Sequence, residues 1–341
     1  MPAEATIYDI AKKLGISAAT VSRGLNNHPA ISGKTKQRIQ EAAKKMGYRS
    51  NNFASNLRRQ KTNTIGIIIH ELNSQFITSV LAGIEKVTAG TGFDLIIGHS
   101  SETSEKEIAN AHNLFHKRVD GLIASLAYDT KDTQHFEPFI KKGIPVVFFD
   151  RVEISSPGAK IIIDNEKAGF AATEHLISQG CKNIVHVTGN LTRNVYADRL
   201  KGYKLALAKH KIPFSKQSVF VNDLSESESC KAALAIAQMQ PRPDGAFITN
   251  DFCAAVCIKT WKGMGLRVPA DLAVVGFNND AISKIVEPSL TTINYPGIEM
   301  GEVAARCLLQ QLSGTSATKN SIIYIHSELV VRESSLKKPQ N

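Results

Sequence analysis

The stretch TIYDIAKKLGISAATVSRGLNNHPAIS, residues 6–32, predicts two short helices joined by a tight turn. Thr6 and Asp9 have the spacing of a capping box, and Gly15 is the residue type that ends a helix. Ser17 then stands where it can cap a second helix after only a short turn. Two helices with a glycine in the turn between them are typical of a helix-turn-helix unit.

A third helix completes the predicted unit. Ser32 has the residue type and position of its N-cap, and Gly47 those of its end. Apolar residues recur at helical spacing in all three helices, and helices this short form a stable unit only when they pack crosswise on one core. We therefore expect residues 1–49 to form a small all-α headpiece. Its predicted core residues are Ile7, Ile10, Ala11, Leu14, Val21, Leu25, Ile39, Ala42, Ala43 and Met46.

The positive charge of the chain is concentrated near its beginning. The 341 residues carry 41 Lys+Arg and 31 Asp+Glu, a formal net charge of +10. Residues 1–62 hold 12 of the basic and 3 of the acidic residues, a net charge of +9, so the remainder is close to neutral. A basic surface that served solubility alone would spread the excess evenly. The concentration indicates a headpiece that binds a polyanion, attached to a neutral body.

The second helix of a helix-turn-helix unit enters the major groove of DNA with its amino end first. Small side chains at Ala18 and Ala19 would let the backbone approach, and their methyl groups can touch thymine methyls. Thr20 and Ser22 can reach phosphates or bases, and Arg23 can bond a guanine edge in bidentate fashion. Taken by itself, Arg23 could equally be a solvated arginine at a helix end.

This headpiece sequence resembles that of the lactose-repressor and purine-repressor family of bacterial transcription regulators, and the resemblance continues to the end of the chain. The resemblance implies that Ala18, Ala19 and Arg23 occupy base-reading positions. Because two alanines offer little hydrogen-bond readout, we expect specificity to depend on Arg23, on DNA deformability and on the hinge described next. The other predicted DNA contacts in the headpiece are Tyr8, Ser17, Thr20, Ser22, Asn26, Ser32 and Thr35.

After the headpiece, the family has a hinge helix with the motif Tyr-x-Pro-Asn-x-x-Ala-Arg-x-Leu, and this chain reads YRSNNFASNL. The matching positions are Tyr48, Asn51, Ala54 and Leu57. The resemblance implies a hinge that folds on the operator, with Asn51 and Ala54 at the DNA and Leu57 wedged into the minor groove. Ser50 replaces the usual proline, which should loosen the turn before the hinge. The alternative is that Leu57 is a buried linker leucine.

From Thr64 onward the sequence alternates between strand-like and helix-like segments. The β-rich runs are TIGIII, FDLIIGHS, VDGLIAS, IPVVFFD and AKIIID, followed after Asn165 by NIVHVTG, SVFVND, GAFITN and LAVVGF. Amphipathic stretches such as 76–89 and 104–117 lie between them. This alternation predicts α/β lobes with parallel sheets covered on both faces. Two lobes in tandem resemble the type I periplasmic sugar-binding fold that forms the family's core.

We expect the chain to divide as follows: headpiece 1–49, hinge and linker 50–63, first lobe 64–163 plus 294–324, second lobe 164–293 plus 325–335, and tail 336–341. The terminal sequence RESSLKKPQN has no leucine heptads. The tetramer-forming tail of some relatives is thus missing, and we expect a homodimer. Twofold symmetry of the dimer would match a palindromic operator.

Polar residues follow the predicted strands, where ligands of such folds bind in the cleft between lobes. Those at strand ends are Ser125, Asp150, Asn250, Asp251 and Asn278. The resemblance adds Ser74 and Phe76 from the loop after the first strand, Arg199 before Leu-x-Gly-aromatic, and Arg193 from the purine-binding branch. For each of these residues taken by itself, the alternative to effector binding is a role as a helix cap or in a loop hydrogen bond.

This set of predicted effector-binding residues suits a hydroxyl-rich molecule such as a sugar or sugar derivative, because amides, carboxylates and an arginine bond hydroxyls and Phe76 could stack on a sugar face. The family often has Asp where this chain has Asn278, so we do not copy an effector from any relative. The expected ligand is a non-covalent small-molecule effector, and we expect neither a cofactor nor a metal.

Two residue pairs offer a metal site as a less favoured alternative. Cys253 and Cys257 share a helix face but have no second ligand pair at zinc-site spacing, and His112 and His116 lack the intervening Glu of a metalloprotease. The five cysteines are best explained as reduced, packed thiols.

An enzyme and a periplasmic sugar-binding protein are the alternatives to a regulator. No G-x-G-x-x-G follows the first strand, and no Ser/His/Asp or Cys/His set has the context of a nucleophile. A periplasmic protein would account for the body but not for residues 1–62 or for the lack of an apolar stretch after Met1. The apolar runs are too short to cross a bilayer. We expect a cytoplasmic, nucleoid-associated DNA-binding repressor without catalytic activity or membrane contact.

Overall fold

The computed structural model of the chain describes residues 5–48, 61–315 and 320–337. The chain divides into two compact units, residues 1–62 and residues 63–341, and each is described by itself. Within the described ranges, no helix combines the length and the apolar character that crossing a bilayer requires.

The headpiece consists of three short helices around one small core. These are α1 (Ile7–Leu14), α2 (Ala18–Leu25) and α3 (Gly33–Lys45). The predicted capping box is confirmed: Thr6 Oγ1 accepts from the Asp9 amide, and the Asp9 carboxylate accepts from the Thr6 amide. Gly15 ends α1 in the left-handed conformation with φ of 67°. Ile10, Val21 and Ile39, one from each helix, are fully buried at the centre of the unit.

The first lobe of the core unit is built on a six-stranded sheet, counted over the described residues, in which all pairings are parallel. The strand order is β11-β5-β4-β3-β1-β2. The strands are β1 (Thr64–Ile69), β2 (Asp94–His99), β3 (Gly121–Ala124), β4 (Val146–Phe149), β5 (Ala159–Ile163) and β11 (Ile322–Ile325). The helices on this sheet are α4 (Gln75–Thr88), α5 (Ser104–His116), α6 (Glu137–Lys141) and α12 (Gly297–Leu312).

The second lobe repeats the design, again with a six-stranded sheet among the described residues. Its order is β12-β10-β9-β8-β6-β7, and only the β10–β12 pairing is antiparallel. The strands are β6 (Ile184–Thr188), β7 (Val219–Val221), β8 (Gly245–Ile248), β9 (Ala273–Asn278), β10 (Thr291–Asn294) and β12 (Leu329–Val330). The helices are α7 (Asn165–Ser178), α8 (Asn194–Lys209), α9 (Glu226–Gln238), α10 (Asp251–Gly263) and α11 (Ile282–Ile285).

The chain passes between the sheets after β5, after β10 and after β11. Each of the nine predicted strand runs contains an observed strand, and parallel sheets are confirmed. Three strands, β10, β11 and β12, were not predicted. β10 reads TTIN and has one apolar residue, β11 reads IIYI and is an apolar run of only four residues, and the two residues of β12 leave no periodic pattern to read.

Glycines let pairs of helices approach until their backbones touch. A Cβ added at Gly83 of α4 would lie 2.1 Å from the Ile298 carbonyl oxygen at the start of α12. The same arrangement recurs in the second lobe, where a Cβ at Gly169 of α7 would lie 2.4 Å from the Arg199 carbonyl oxygen of α8. These contacts hold α4 close against α12 and α8 close against α7, and α4 and α8 are the helices that carry candidate ligand-binding residues.

Candidate DNA interface and ligand cleft

The α2 helix packs one side into the headpiece core and presents the other to solvent. Val21 and Gly24 are buried, and a Cβ at Gly24 would lie 2.4 Å from Cδ1 of Ile39. Ala19 and Arg23 are exposed on the opposite side. Ala18, Thr20 and Ser22 are half-exposed. Of the predicted base-reading residues, Ala19 and Arg23 therefore lie on the solvent side of α2, whereas Ala18 packs partly against the headpiece core.

The polar residues at the helix starts are engaged as caps. Ser17 Oγ accepts from the Thr20 amide at 3.1 Å, and Ser32 Oγ accepts from the Thr35 amide at 3.3 Å. At the other end of α2, the side-chain amide of Asn26 donates to the Ser22 carbonyl at 2.8 Å. Backbone amides beyond these caps remain at the amino ends of α2 and α3, where helix polarity favours an anion such as phosphate.

Two further side chains of the headpiece project freely. Tyr8 is 72% exposed, so its ring is not part of the core. Within residues 5–48 no side chain pairs with the Arg23 guanidinium, and α2 has no acidic residue in its first turn. A charged group with five donors is thus available to an external acceptor.

The ligand cleft lies at the carboxyl ends of strands from both sheets of the core unit. Its cavity has a volume of about 50 Å³. The lining residues are His70, Glu71, Ser74, Phe76, Asp150, Arg151, Val195, Tyr196, Arg199, Thr249, Asn250, Asn278 and Tyr295. Six residues predicted to bind effector are thereby brought together: Ser74, Phe76, Asp150, Arg199, Asn250 and Asn278.

Arg199 is a fixed cation in the cleft wall. Its Nε donates to the Asn165 side chain at 2.9 Å and its Nη1 to the Thr249 carbonyl at 3.1 Å. Its guanidinium carbon lies 3.5 Å from the centre of the Phe277 ring. No carboxylate of the described residues lies within ion-pair distance of it. Burial lowers the pKa of Arg199, yet a guanidinium stays protonated at neutral pH.

Asp150 faces Arg199 across the cleft end of β4. It has a left-handed φ of 58°, and its Oδ1 accepts from the Tyr295 hydroxyl at 2.6 Å. Burial raises the pKa of Asp150, and the neighbouring Arg151 opposes this effect. The Tyr295 ring stacks on Phe76 with centroids 4.2 Å apart, which gives the cleft an aromatic wall.

The sequence of this chain matches known proteins over nearly its whole length. Residues 6–51 match the model of bacterial regulatory proteins of the lacI family, and residues 173–335 match a periplasmic binding protein-like domain. The chain is 32% identical to catabolite control protein A of Priestia megaterium over 96% of this chain and 98% of that protein. The chain belongs to the lacI family of bacterial regulatory proteins.

Similarity to further lacI-family proteins supports this family assignment. The HTH-type transcriptional repressor PurR of Vibrio vulnificus is 30% identical over 96% of this chain and 98% of its own length. The structure of a lac repressor dimer bound to operator and the anti-inducer ONPF aligns with a TM-score of 0.87 and 26% identity, covering 98% of this chain and 100% of that one. A CelR–cellobiose complex shares the fold, with a TM-score of 0.74 over 97% of this chain and 99% of that one, at 24% identity. This lacI-family chain is accordingly a DNA-binding transcriptional regulator rather than an enzyme.

Three residues predicted to bind effector lie outside the lining of the cleft. Ser125 stands behind His70, with its Oγ 3.1 Å from Nδ1 of that histidine. The Arg193 guanidinium donates to the Thr130 carbonyl across the two lobes. Asp251 accepts from the Thr292 hydroxyl of β10 at 2.7 Å and from the Asp280 amide at 2.8 Å. Their direct contact with an effector stays a prediction.

Asn250 has both of the roles considered for it, effector contact and helix cap, because it lines the cleft and its Oδ1 also accepts from the Cys253 amide as the N-cap of α10.

The hinge residues Asn51, Ala54 and Leu57 fall outside the described residues, so their predicted DNA contacts stay predictions. Across 5–48, 61–315 and 320–337, no three His, Cys, Asp or Glu residues are grouped so that they could hold a metal ion.

Sequence reasoning missed several lining residues. Arg151 directly follows Asp150 in VVFFDR, and Tyr196 precedes Arg199 by three residues on one helix face, so both carried a readable signal. Tyr295 follows the unpredicted strand β10 and carried none. His70 directly follows β1, and burial lowers its pKa well below the usual value, so it lines the cleft as a neutral ring.

Proposed function

We propose that the chain represses transcription by binding a palindromic operator as a homodimer, and that a sugar-type small molecule in the ligand cleft controls this binding. One observation carries the proposal: a headpiece with an exposed Arg23 and a cleft with the recognition groups of a hydroxyl-rich ligand occur in the same chain.

On the DNA side, α2 would lie in the major groove. Ala18 and Ala19 keep the helix surface low enough for the backbone to approach, and Arg23 supplies the bidentate donor. The amino ends of α2 and α3 and the net charge of +9 in residues 1–62 would hold the phosphates. The lac repressor, whose dimer has been seen on its operator, aligns over 98% of this chain and supports the same arrangement here.

On the effector side, the cleft offers donors and acceptors together. Arg199 donates, Asp150 accepts, and the amides of Asn250 and Asn278 do both, which matches hydroxyls that act as donor and acceptor at once. Phe76 would contact the apolar face of a sugar ring. The relative CelR is known with cellobiose, which supports a sugar-like ligand for the shared fold but does not identify this one.

Effector and operator binding would be coupled through the lobes. A ligand that binds one lobe arrangement better shifts the population toward it and changes operator affinity by the same free energy. We retain the division into headpiece 1–49, hinge 50–63 and two lobes that exchange segments near 163, 294 and 325. A regulator of transcription works beside the chromosome, so we place the chain in the cytoplasm at the nucleoid.

The proposal is tested by selecting genomic fragments with the purified full-length protein and sequencing those retained. We expect one enriched palindrome with a deformable central step, and a binding constant that falls steeply with salt as phosphate contacts release counterions. The selection is repeated with a panel of sugars and nucleobases. Absence of enrichment under every condition would contradict the DNA-binding assignment.

The same panel tests the effector. Fluorescence anisotropy with the enriched fragment measures operator affinity with each compound present. We expect at least one sugar or sugar derivative to change the affinity several-fold. If only nucleobases did so, the cleft would belong to the purine type and the sugar assignment would be wrong.

A further inference from the structure

Three of the five cysteines lie where two helices of the second lobe pack together. Cys230 is on α9, and Cys253 and Cys257 are one turn apart on α10. Cys253 and Cys257 are fully buried, whereas Cys230 is half-buried and reaches solvent. The lining of the ligand cleft includes none of these thiols. The function proposed above therefore leaves the three clustered thiols unexplained.

Contacts between the two helices place Cys230 opposite Cys257. The Cys257 thiol donates to the carbonyl oxygen of Ser229, the residue before Cys230, at 3.4 Å. Thr260 follows Cys257 by one turn on the same side of α10, and its Oγ1 lies 3.7 Å from Sγ of Cys230. The turn of α10 from Cys257 to Thr260 therefore faces Cys230. We call Cys230 and Cys257 the facing thiols.

The contact between α9 and α10 is close. The Trp261 indole nitrogen on α10 donates to the Ala233 carbonyl of α9 at 2.8 Å, and both residues are fully buried. A disulfide joins Cα atoms about 4.4–6.8 Å apart, which is less than the usual separation of about 8–10 Å between the axes of packed helices. Only residues that face each other across such a contact can therefore be joined, and the contacts of Ser229 and Thr260 select the facing thiols.

The facing thiols differ in their access to an oxidant. Cys257 has no exposed surface, so a molecule dissolved in water does not reach its sulfur. The neighbouring Cys253 thiol raises the pKa of Cys257 and burial adds to this effect, so Cys257 keeps its proton. Cys230 is half-buried and can meet an oxidant from solvent. Oxidation would therefore begin at Cys230 and be completed by Cys257.

We propose that Cys230 and Cys257 form a reversible disulfide when the protein meets a hydroperoxide. The Cys230 thiol loses its proton to solvent, and its sulfur attacks one oxygen of the hydroperoxide. The O–O bond breaks, the leaving oxygen takes up the released proton, and the sulfur is oxidised by two electrons to a sulfenic acid. The Cys257 sulfur then attacks the Cys230 sulfur, the S–O bond breaks, and the leaving hydroxide takes the Cys257 proton to give water.

This disulfide would tie α9 to a helix that begins at the ligand cleft. Asn250 lines the cleft and caps α10, since its Oδ1 accepts from the Cys253 amide at 3.0 Å. Oxidation would thus fix the helix that follows a cleft residue. A consequence for effector binding would rest on the proposed function, whereas formation of the disulfide does not.

Thiol counting and peptide mapping test the facing thiols in the full-length protein. The reduced protein is treated with hydrogen peroxide, its remaining thiols are blocked with N-ethylmaleimide in denaturant, and it is digested with trypsin without reduction. Trypsin separates Cys230, on peptide 217–231, from Cys257, on peptide 232–259. We expect these peptides to be linked and the free thiols to fall from five to three, because one disulfide consumes two. Dithiothreitol should restore all five.

Two serine variants identify the second sulfur, because Cys253 is on the same peptide as Cys257. Cys257→Ser should give no linked peptides, and dimedone should instead trap Cys230 as a sulfenic acid. Cys253→Ser is the matched control, because it removes an equally buried thiol one turn away on the same helix. It should still form the link. Cys257→Ala repeats the test should Cys257→Ser not fold.

The facing thiols would be refuted by a parent that keeps five free thiols, or by one in which Cys230 is oxidised without forming a link. Linked peptides in Cys257→Ser would assign the second sulfur to Cys253 and overturn the proposal as well. Links that contain Cys181 or Cys307 would equally contradict it, because neither residue lies on α9 or α10. None of these outcomes bears on DNA binding or on the effector site.

Discussion

Replacing Gly202 by alanine should destabilise the core unit, although alanine is the better helix former. Gly202 lies inside α8, and a Cβ there would be 2.0 Å from the Glu166 carbonyl oxygen and 2.5 Å from the Phe170 amide nitrogen of α7. Both atoms belong to the backbone, so no side chain can rotate away. The two helices would have to separate by about 1 Å to restore a normal carbon–oxygen contact.

The size of the effect follows from two opposing contributions. Overpacking of a filled core costs about 1–3 kcal/mol, and contact with backbone places Gly202→Ala at the upper end of that range. The gain in helix propensity from glycine to alanine offsets about 1 kcal/mol. The net loss is therefore about 2 kcal/mol. For a unit of this size that corresponds to a melting temperature lower by about 4–8 °C.

Thermal unfolding followed by circular dichroism at the helix band measures this loss. Gly263→Ala is the matched control in the same lobe, because Gly263 also lies in a helix but has nothing within 4 Å of an added Cβ. It should leave the melting temperature unchanged or raise it. Equal or higher stability of Gly202→Ala than of the parent would refute the close backbone contact between α7 and α8.

Three further outcomes are expected. Arg23→Ala should weaken the binding free energy for the selected operator by about 1–3 kcal/mol and relax the sequence preference at one base pair. Fluorescence anisotropy on point-mutated operators measures both effects, and an equal loss of affinity for random DNA would contradict base reading by Arg23. Arg199→Ala should abolish the effector response and leave operator binding nearly intact, and a normal response would remove Arg199 from the site. Burial, reinforced by the nearby Asp280 carboxyl, raises the pKa of Asp251 to about 8. The folded state then keeps a proton that the unfolded state loses near pH 4, so the free energy of unfolding falls as pH rises from about 4 to 8. Asp251→Asn should flatten this fall, as measured by urea titrations at a series of pH values. An unchanged pH dependence would show that Asp251 is ionised in the folded state.

The headpiece was largely readable from its sequence. Caps at Thr6, Ser17 and Ser32 and the end at Gly15 are decided by hydrogen bonds to residues three or four positions away, which the sequence prints side by side. Nine strands were also readable, because each lies within a local run rich in apolar and β-branched residues. In the cleft, Asp150 and Asn278 could be proposed because parallel strands carry their carboxyl ends to one edge.

The remaining features depend on residues far apart in the chain. Tyr295 reaches the cleft because the chain returns to the first lobe after β10, and its partner Asp150 lies 145 positions away. Asn194 meets Val152, 42 positions away, because the two lobes pack against each other in the folded chain. By sequence alone, Gly202 is a residue of low helix propensity inside α8, and its close contact with the Glu166 backbone is evident only from the structure. By itself the sequence determined the headpiece helices, nine of the strands and the concentration of positive charge, because those follow from local periodicity and composition. Only the tertiary structure decided which side chains share the cleft and how the lobes pack together, because those depend on close packing between distant segments.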